Sequence, residues 1–530
     1  MSGENDDGKT GDNEDTADDP CEQIGLESVA WFGDCFRRVV QTPTSSWVIY
    51  NQALSILNEF QRFTKQSTAV GAVLYSDRNA APKLMSFPSR QSLAFALAAT
   101  SAALFLTACG SNYRPVVSSI NPVGPASQPT KYAVVISSTG ATTPGLATIV
   151  DFSGDTILDT TRIGAAPFWL TLDTNGADGY VLNRDGTVNS FGISISLIQS
   201  QVNQSTLPAN SNASTIISQG ASLYVTQPGL NSVAQLQGVP PALKQELPTG
   251  ATPVYTIAAS GAPRVYTILQ NGASAGTVAA IETTTQTISA SLPVGVNPVY
   301  GVMSSDTRRA YVLNQGSNTV TVINAQKNAV DSSSTLPTGT ISVGTAPVWA
   351  DISPVLNELF VANQGDGTHP GSLSIINIPL CNSSTVVTNP ECDTNNPVDA
   401  VGFGQTVATI PVGVNPIQVQ VLSDGSQAYV ANAGNPGAGI AGSITVINLA
   451  TNTVVATIPC TPSNANDGLP DATIHGNPSY IAVTTGLPTG RVYVVSSQSH
   501  DLSILRTDID AVLTHLPLLS TGVMVHVTAQ

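Results

Sequence analysis

Two residues past a recurring proline, the chain carries a large side chain with a hydrogen-bonding group: Trp169, Tyr255, Tyr300, Trp349, Gln418 and Tyr480. Indoles and phenols gathered at one place offer apolar faces with polar tips, a surface suited to a sugar, a peptide or a flat ligand. The same column suits wedge packing between neighbouring units, and its regularity favours that use, because a scaffold repeats whether or not anything binds. Asp173 and Asp351 fall in the same stretches, where two carboxylates could hold a cation such as Ca2+; bonding to nearby backbone is the simpler reading. The five histidines, His369, His475, His500, His515 and His526, are scattered without metal-ligand spacing. No ordered Ser/His/Asp set stands out, and the glycine-rich stretch at 435–442 lacks a following helix, so the sequence assigns no catalytic residue, metal or cofactor.

The elements that position these residues are repeats. A Gly-x-x-Pro step recurs at Gly164–Pro167, Gly250–Pro253, Gly295–Pro298, Gly344–Pro347 and Gly413–Pro416, with a shorter relative at His475–Pro478. About twelve residues after each proline an aromatic opens a run such as Tyr311-Val-Leu-Asn314 or Tyr429-Val-Ala-Asn432. A third run follows (Thr319–Asn324, Ile444–Asn448), and a fourth leads back to the glycine (Thr406–Gly413). Each unit is four short strands joined by Gly, Asn and Asp turns, Asp424-Gly425 being one with favourable hairpin chemistry. A lone four-stranded sheet cannot bury both faces, whereas a radial array of them can; the fold class predicted is an all-β propeller. The asparagines Asn183, Asn314, Asn363 and Asn432 read as caps of strand-to-turn transitions, and Asn324, Asn377 and Asn448 read likewise.

These strings, each linked to an Ile-Pro-Val-Gly-x-x-Pro step, resemble the YVTN-type (40-residue repeat) β-propellers of bacterial and archaeal envelope proteins. The likeness runs over residues 131–530, is strongest from 292 to 459, and is degenerate from 167 to 250, where Gln227 stands at the place of Asn183. It implies a propeller with a shallow funnel and an undefined binding role; a lactonase-like branch shares the architecture.

Counting aromatic rows gives eight: Tyr132, Tyr180, Tyr224, Tyr266, Tyr311, Phe360, Tyr429 and Tyr493. The first lacks a preceding Gly-x-x-Pro strand, and the last residues, Val523–Gln530, look like that missing strand. Pairing the two ends in one blade would close the ring and remove its open edge. Eight blades are therefore expected, with seven the alternative if the weak unit at 208–250 is only an insertion.

Upstream, Met85 begins a stretch in which Arg90 precedes an apolar run from Leu93 to Leu106 and Leu106-Thr-Ala-Cys109 follows. Charge, short apolar run and small residues in that order describe a secretory signal, and the run is shorter than the roughly 20 residues a membrane span requires. The Leu-Thr-Ala-Cys end resembles the lipobox of bacterial lipoproteins, which implies lipidation of Cys109 and makes 110–130 a flexible tether. Residues 1–84 read as a disordered leader or an over-long reading frame. The expected location is the bacterial envelope, lipid-anchored and periplasmic or surface-exposed; Gly110 after the cysteine points to the outer membrane.

Composition agrees. Only 10% of the 530 residues are charged, and the turn formers Gly (44) and Pro (35) are abundant, as short strands require. The net charge of -16 is uneven: 13 of the 35 acidic residues precede Gly110, eight of them before Pro20. No basic stripe exists, which argues against a nucleic-acid partner. Of six cysteines, Cys381 and Cys392 share a polar insertion and suit a loop-closing disulfide in an oxidising compartment, while Cys460 reads as a small buried hydrophobe. Insertions at 365–371, 381–404, 434–442 and 460–476 gather in the last units, where loops on a rigid scaffold offer a partner surface.

The functional expectation is an envelope-anchored, non-enzymatic platform for a protein, peptide or glycan. The alternatives are a lactonase-like hydrolase and a purely structural surface component.

Overall fold

The computed structural model describes residues 131–528 apart from 194–201, 333–335, 380–401, 462–471 and 485–489. Cys109 with its preceding signal, and the Cys381–Cys392 pair, lie outside the described residues. Among the described residues, regular structure is strand throughout, apart from 3-10 turns at Pro228–Leu230 and Pro436–Ala438. The strands form eight sheets whose main strands run antiparallel.

The first strands of successive sheets touch in an unbroken cycle: Pro167–Leu172, Thr215–Gln219, Thr252–Ile257, Pro298–Met303, Pro347–Ser353, Pro416–Val421, Pro478–Thr484 and Thr521–Val527. This is a β-propeller of eight blades. The doubtful unit is a complete blade, built from Thr215–Gln219, Ser222–Gln227, Ser232–Gln237 and Ala242–Pro248. Eight blades hold, and seven do not.

The ring closes as expected. Thr521–Val527 pairs with Tyr132–Ser138, so the first blade joins the chain's end to Tyr132–Ser138, Pro144–Asp151 and Thr156–Ala165. Pairing begins at Thr521, two residues before the expected start. One aromatic row is misplaced in the sequence reading. Tyr311 pairs with Val302, and the residue that pairs in the same way with His526 is Val134, not Tyr132. The closing strand carries at Val523 the same bulge that follows the repeat proline in other blades, so the register is the same and Tyr132 lies two residues before the row position.

Packing explains the repeat motif. The N–H of Gly295 donates to Asn314 Oδ1 at 2.9 Å, and a Cβ on that glycine would lie 2.7 Å from Asn314 Cγ. Gly344 over Asn363 and Gly413 over Asn432 repeat the same 2.7 Å approach. The asparagine amides in turn bridge to the third strand, Asn314 Nδ2 to Thr321 Oγ1 and Asn432 Nδ2 to Thr445 Oγ1, both at 2.9 Å. Four of the six repeat prolines, Pro167, Pro298, Pro416 and Pro478, nest against a glycine of the preceding blade: a Cβ on Gly276 would meet Pro298 at 2.5 Å, and one on Gly371 would meet Pro416 at 2.4 Å. The row aromatics reach the other way. Tyr224 Oη donates to Gln286 Oε1 (3.0 Å) and Tyr429 Oη to Asp510 Oδ1 (2.8 Å), each on a turn of the following blade. Blade stability thus resides largely in nearest-neighbour contacts.

Candidate functional site

The strand pleat and the bulge after each proline set what reaches the axis. Residues two apart share a side of a strand, so Trp349 and Asp351, Tyr300 and Val302, and Met524 and His526 form two successive layers of one column.

In the first layer the aromatics touch in series. Ring centroids lie 6.0 Å apart for Trp169–Tyr255, 4.6 Å for Tyr255–Tyr300 and 4.1 Å for Tyr300–Trp349, whose planes stack within 19°. Trp349 then meets Tyr480 edge-on at 5.6 Å. The series ends on His526 of the closing strand, 5.5 Å from Tyr480, with Tyr480 Oη 3.3 Å from His526 Nε2. Five of the six column residues therefore meet around the axis. Gln418 plays another part, donating to the carbonyl of Ile481 (2.9 Å) and accepting from its N–H (2.8 Å), which ties two blades together. Met524 holds the same place in the closing strand, its sulfur 3.2 Å from the N–H of Leu170. Trp169 Nε1 donates to the Ile216 carbonyl at 3.1 Å. Much of the column is packing, as its regularity suggested.

Two members do more. Tyr255 and Tyr300 wall a half-open pocket of about 270 Å3 at the end of the channel where the innermost strands turn back, flanked by Ser305 and Pro354. Ile257, Val302 and Met303 supply apolar wall, and Asp351 a carboxylate. Asp351 accepts from the N–H of Ile352 and from that of Val421 on the next blade, both at 2.8 Å. Burial pushes its carboxyl up to about 6, against the pull of those two donors. Burial also raises Tyr255 to about 12 and lifts Tyr300 and Tyr480 well above the ordinary phenol value. It lowers His526 to about 4, so the imidazole is neutral around pH 7.

The other carboxylate differs. Asp173 accepts from the N–H groups of Ala177 (2.6 Å) and Asp178 (3.0 Å), the local turn bonding expected of it. Among the described residues no three His, Cys, Asp or Glu gather as a metal site would require. The sequence reading missed one pairing: His475 and His515 stack at 3.8 Å within 6°, with His475 Nδ1 2.9 Å from Asp501 Oδ2 and His515 Nδ1 3.0 Å from Ser503 Oγ. Forty residues separate them, so only strand pairing could reveal it. His526 was missed as a column member for a similar reason, since the closing strand lacks the guiding proline. Cys460 is buried in the apolar core of its blade, in keeping with its reading as a hydrophobe. At the rim, Asn435 Nδ2 donates to the Gly367 carbonyl at 2.9 Å, joining two of the insertions.

No protein-family model matches the sequence, and no curated protein matches it. Solved structures do. The chain is similar to the dihydro-heme d1 dehydrogenase NirN, solved in complex with DHE, at 12% identity over 76% of each chain, with a TM-score of 0.52. It is also similar to apo AztD from Citrobacter koseri (10% identity, 75% of this chain and 97% of that one, TM-score 0.48). A third is a Bacteroides fragilis protein proposed to be a 6-phosphogluconolactonase (12% identity, 76% and 99%, TM-score 0.45). The likeness is of fold alone, and it places this chain in the class of β-propeller proteins.

Proposed function

We propose that this chain is a lipid-anchored protein of the bacterial cell envelope whose propeller binds a small ligand in its channel without chemical turnover. The observation that carries the binding reading is the pocket of about 270 Å3 walled by Tyr255 and Tyr300. Ligand pockets pair apolar wall with a few fixed polar groups, and this one combines Ile257, Val302 and Met303 with Asp351, Ser305 and the two phenols. Its tyrosine hydroxyls stay protonated near neutral pH, and each Asp351 oxygen already accepts a backbone N–H. Such groups are placed to fix and orient a guest. The anchor reading rests on the Leu-Thr-Ala-Cys109 end of the signal, and the envelope reading on that and on the YVTN-like repeats.

Full-length protein made in a bacterial host fed labelled palmitate tests both parts. Label should enter wild type and be lost in Cys109→Ala. The detergent-solubilised protein is then heated with lactones, envelope glycans, short peptides and organic amines while hydrolysis products are followed. One class should raise the melting midpoint of wild type but not of Val302→Phe, which fills the pocket. A hydrolysed lactone overturns the non-enzymatic reading, and an equal shift in Val302→Phe overturns the channel as the site.

A further inference from the structure

We infer that the channel pocket takes a small organic ammonium ligand, its cationic nitrogen held against Asp351 and its apolar body against Tyr255, Tyr300, Ile257 and Val302. This rests on the reading of the pocket as a ligand site and names the chemistry it selects.

Asp351 stands on the pocket wall, and none of the described residues lining the pocket is Lys, Arg or His. Its two backbone donors occupy two of roughly four lone-pair sites on an ionised carboxylate. Partial charges on two N–H groups do not neutralise an anion as a cation does, and a buried anion without a counter-charge is costly. Binding a cation here recovers that cost; binding an anion adds to it.

The rest of the wall decides what carries the cation. A sugar asks for many hydrogen-bonding partners, and the polar side chains among the described lining residues are Asp351, Ser305 and the two tyrosines. Ile217, Ile257, Val302 and Met303 instead offer an apolar surface. A bare metal ion would need several oxygen ligands, and Asp351 is the one carboxylate among the described lining residues. Tyr300, backed by Trp349 at 4.1 Å, and Tyr255 add electron-rich rings of the kind that favour ammonium groups. The volume accommodates about nine water-sized atoms, the scale of an arylalkyl amine.

The probe is 2-phenylethylamine, with 2-phenylethanol as the neutral analogue and 3-phenylpropionate as the anionic one. Tryptophan fluorescence of the detergent-solubilised full chain at pH 7.5 reads binding, since Trp349 stacks on the pocket's Tyr300. The amine should bind about tenfold more tightly than the alcohol, the scale of one charge-assisted contact, and the propionate should bind more weakly still. In Asp351→Asn the preference for amine over alcohol should fall to about threefold or less. The ligand series on wild type stands even if that variant does not fold. Alcohol and amine binding alike on wild type, or an unchanged preference in folded Asp351→Asn, overturns the ammonium assignment and leaves the pocket a ligand site. No response to any of the three overturns both.

Discussion

Arg491 and Asp155, 336 residues apart in sequence, form a buried two-pronged ion pair between the last blade and the first. Arg491 Nε lies 3.0 Å from Asp155 Oδ1, and Nη2 3.0 Å from Oδ2. The pair sits where Tyr224 and Tyr429 of other blades reach the turn of the next blade, and Asp155 occupies that turn with φ of 49°. Ring closure thus reuses the ordinary blade contact and adds charge to it. Removing one partner of such a pair strands the other, at a cost of about 3–5 kcal/mol. Arg491→Met should lower stability by that order, and Arg491→Met with Asp155→Leu should recover much of it. Denaturant unfolding of the three proteins checks this; a single variant as stable as wild type would show that the clasp is ornamental.

The closing strand itself carries a sharper expectation. Deleting residues 521–530 uncovers the edge of Tyr132–Ser138, whose residues from Ala133 to Ile136 are wholly buried. An open apolar edge pairs with other chains. The truncated protein should elute as oligomers or aggregate under conditions that keep the full chain monodisperse, which light scattering on a sizing column reads directly.

Two groups on the axis titrate in opposite senses. Asp351 has its carboxyl raised from 3.8 to about 6, so the folded state holds the extra proton between those values and stability falls as pH rises through that window. His526 is lowered from 6.5 to about 4, so the unfolded state holds the extra proton and stability rises with pH over nearly the same range. Each effect is worth about 2–3 kcal/mol, and the two largely offset. The other titratable side chains facing the pair, Tyr255, Tyr300 and Tyr480, stay neutral throughout. The stability difference between Asp351→Asn and wild type should move in the variant's favour as pH rises from 4 to 6.5. For His526→Gln it should move in the variant's favour as pH falls. Urea midpoints across that range test both signs.

Thiol counting tests the cysteine assignments. Cys460 is buried and its thiol is pushed up to about 12, which leaves little reactive thiolate. With Cys109 acylated and Cys381 joined to Cys392, native mature protein should show no reactive thiol and the unfolded protein one. Three thiols on unfolding would remove the disulfide.

What could be read from the sequence follows from what repeats. The Gly-x-x-Pro step and the Asn ending four of the aromatic rows recur because residues such as Gly295, Gly344 and Gly413 must lie flat on Asn314, Asn363 and Asn432, so spacing alone revealed blades. The column of rings was legible for the same reason. Asp351 was noticed on an innermost-strand stretch, but its role was not legible, because the wall around it is assembled from four blades whose packing the sequence does not show. Tyr132 misled because the row position in the first blade is filled by Val134, which is not aromatic, while Tyr132 stands two residues earlier on the same strand. The stacked His475 and His515 lie on different strands whose register the sequence leaves open.

The claim that a ligand enters the channel, and not the joined rim loops at 365–371 and 434–442, is tested most directly by hydrogen exchange with and without 2-phenylethylamine. Slowed exchange is expected in the turns beneath the pocket, Ser304–Thr307 and Pro354–Asn357, with the rim unchanged. Protection confined to the rim loops would contradict it.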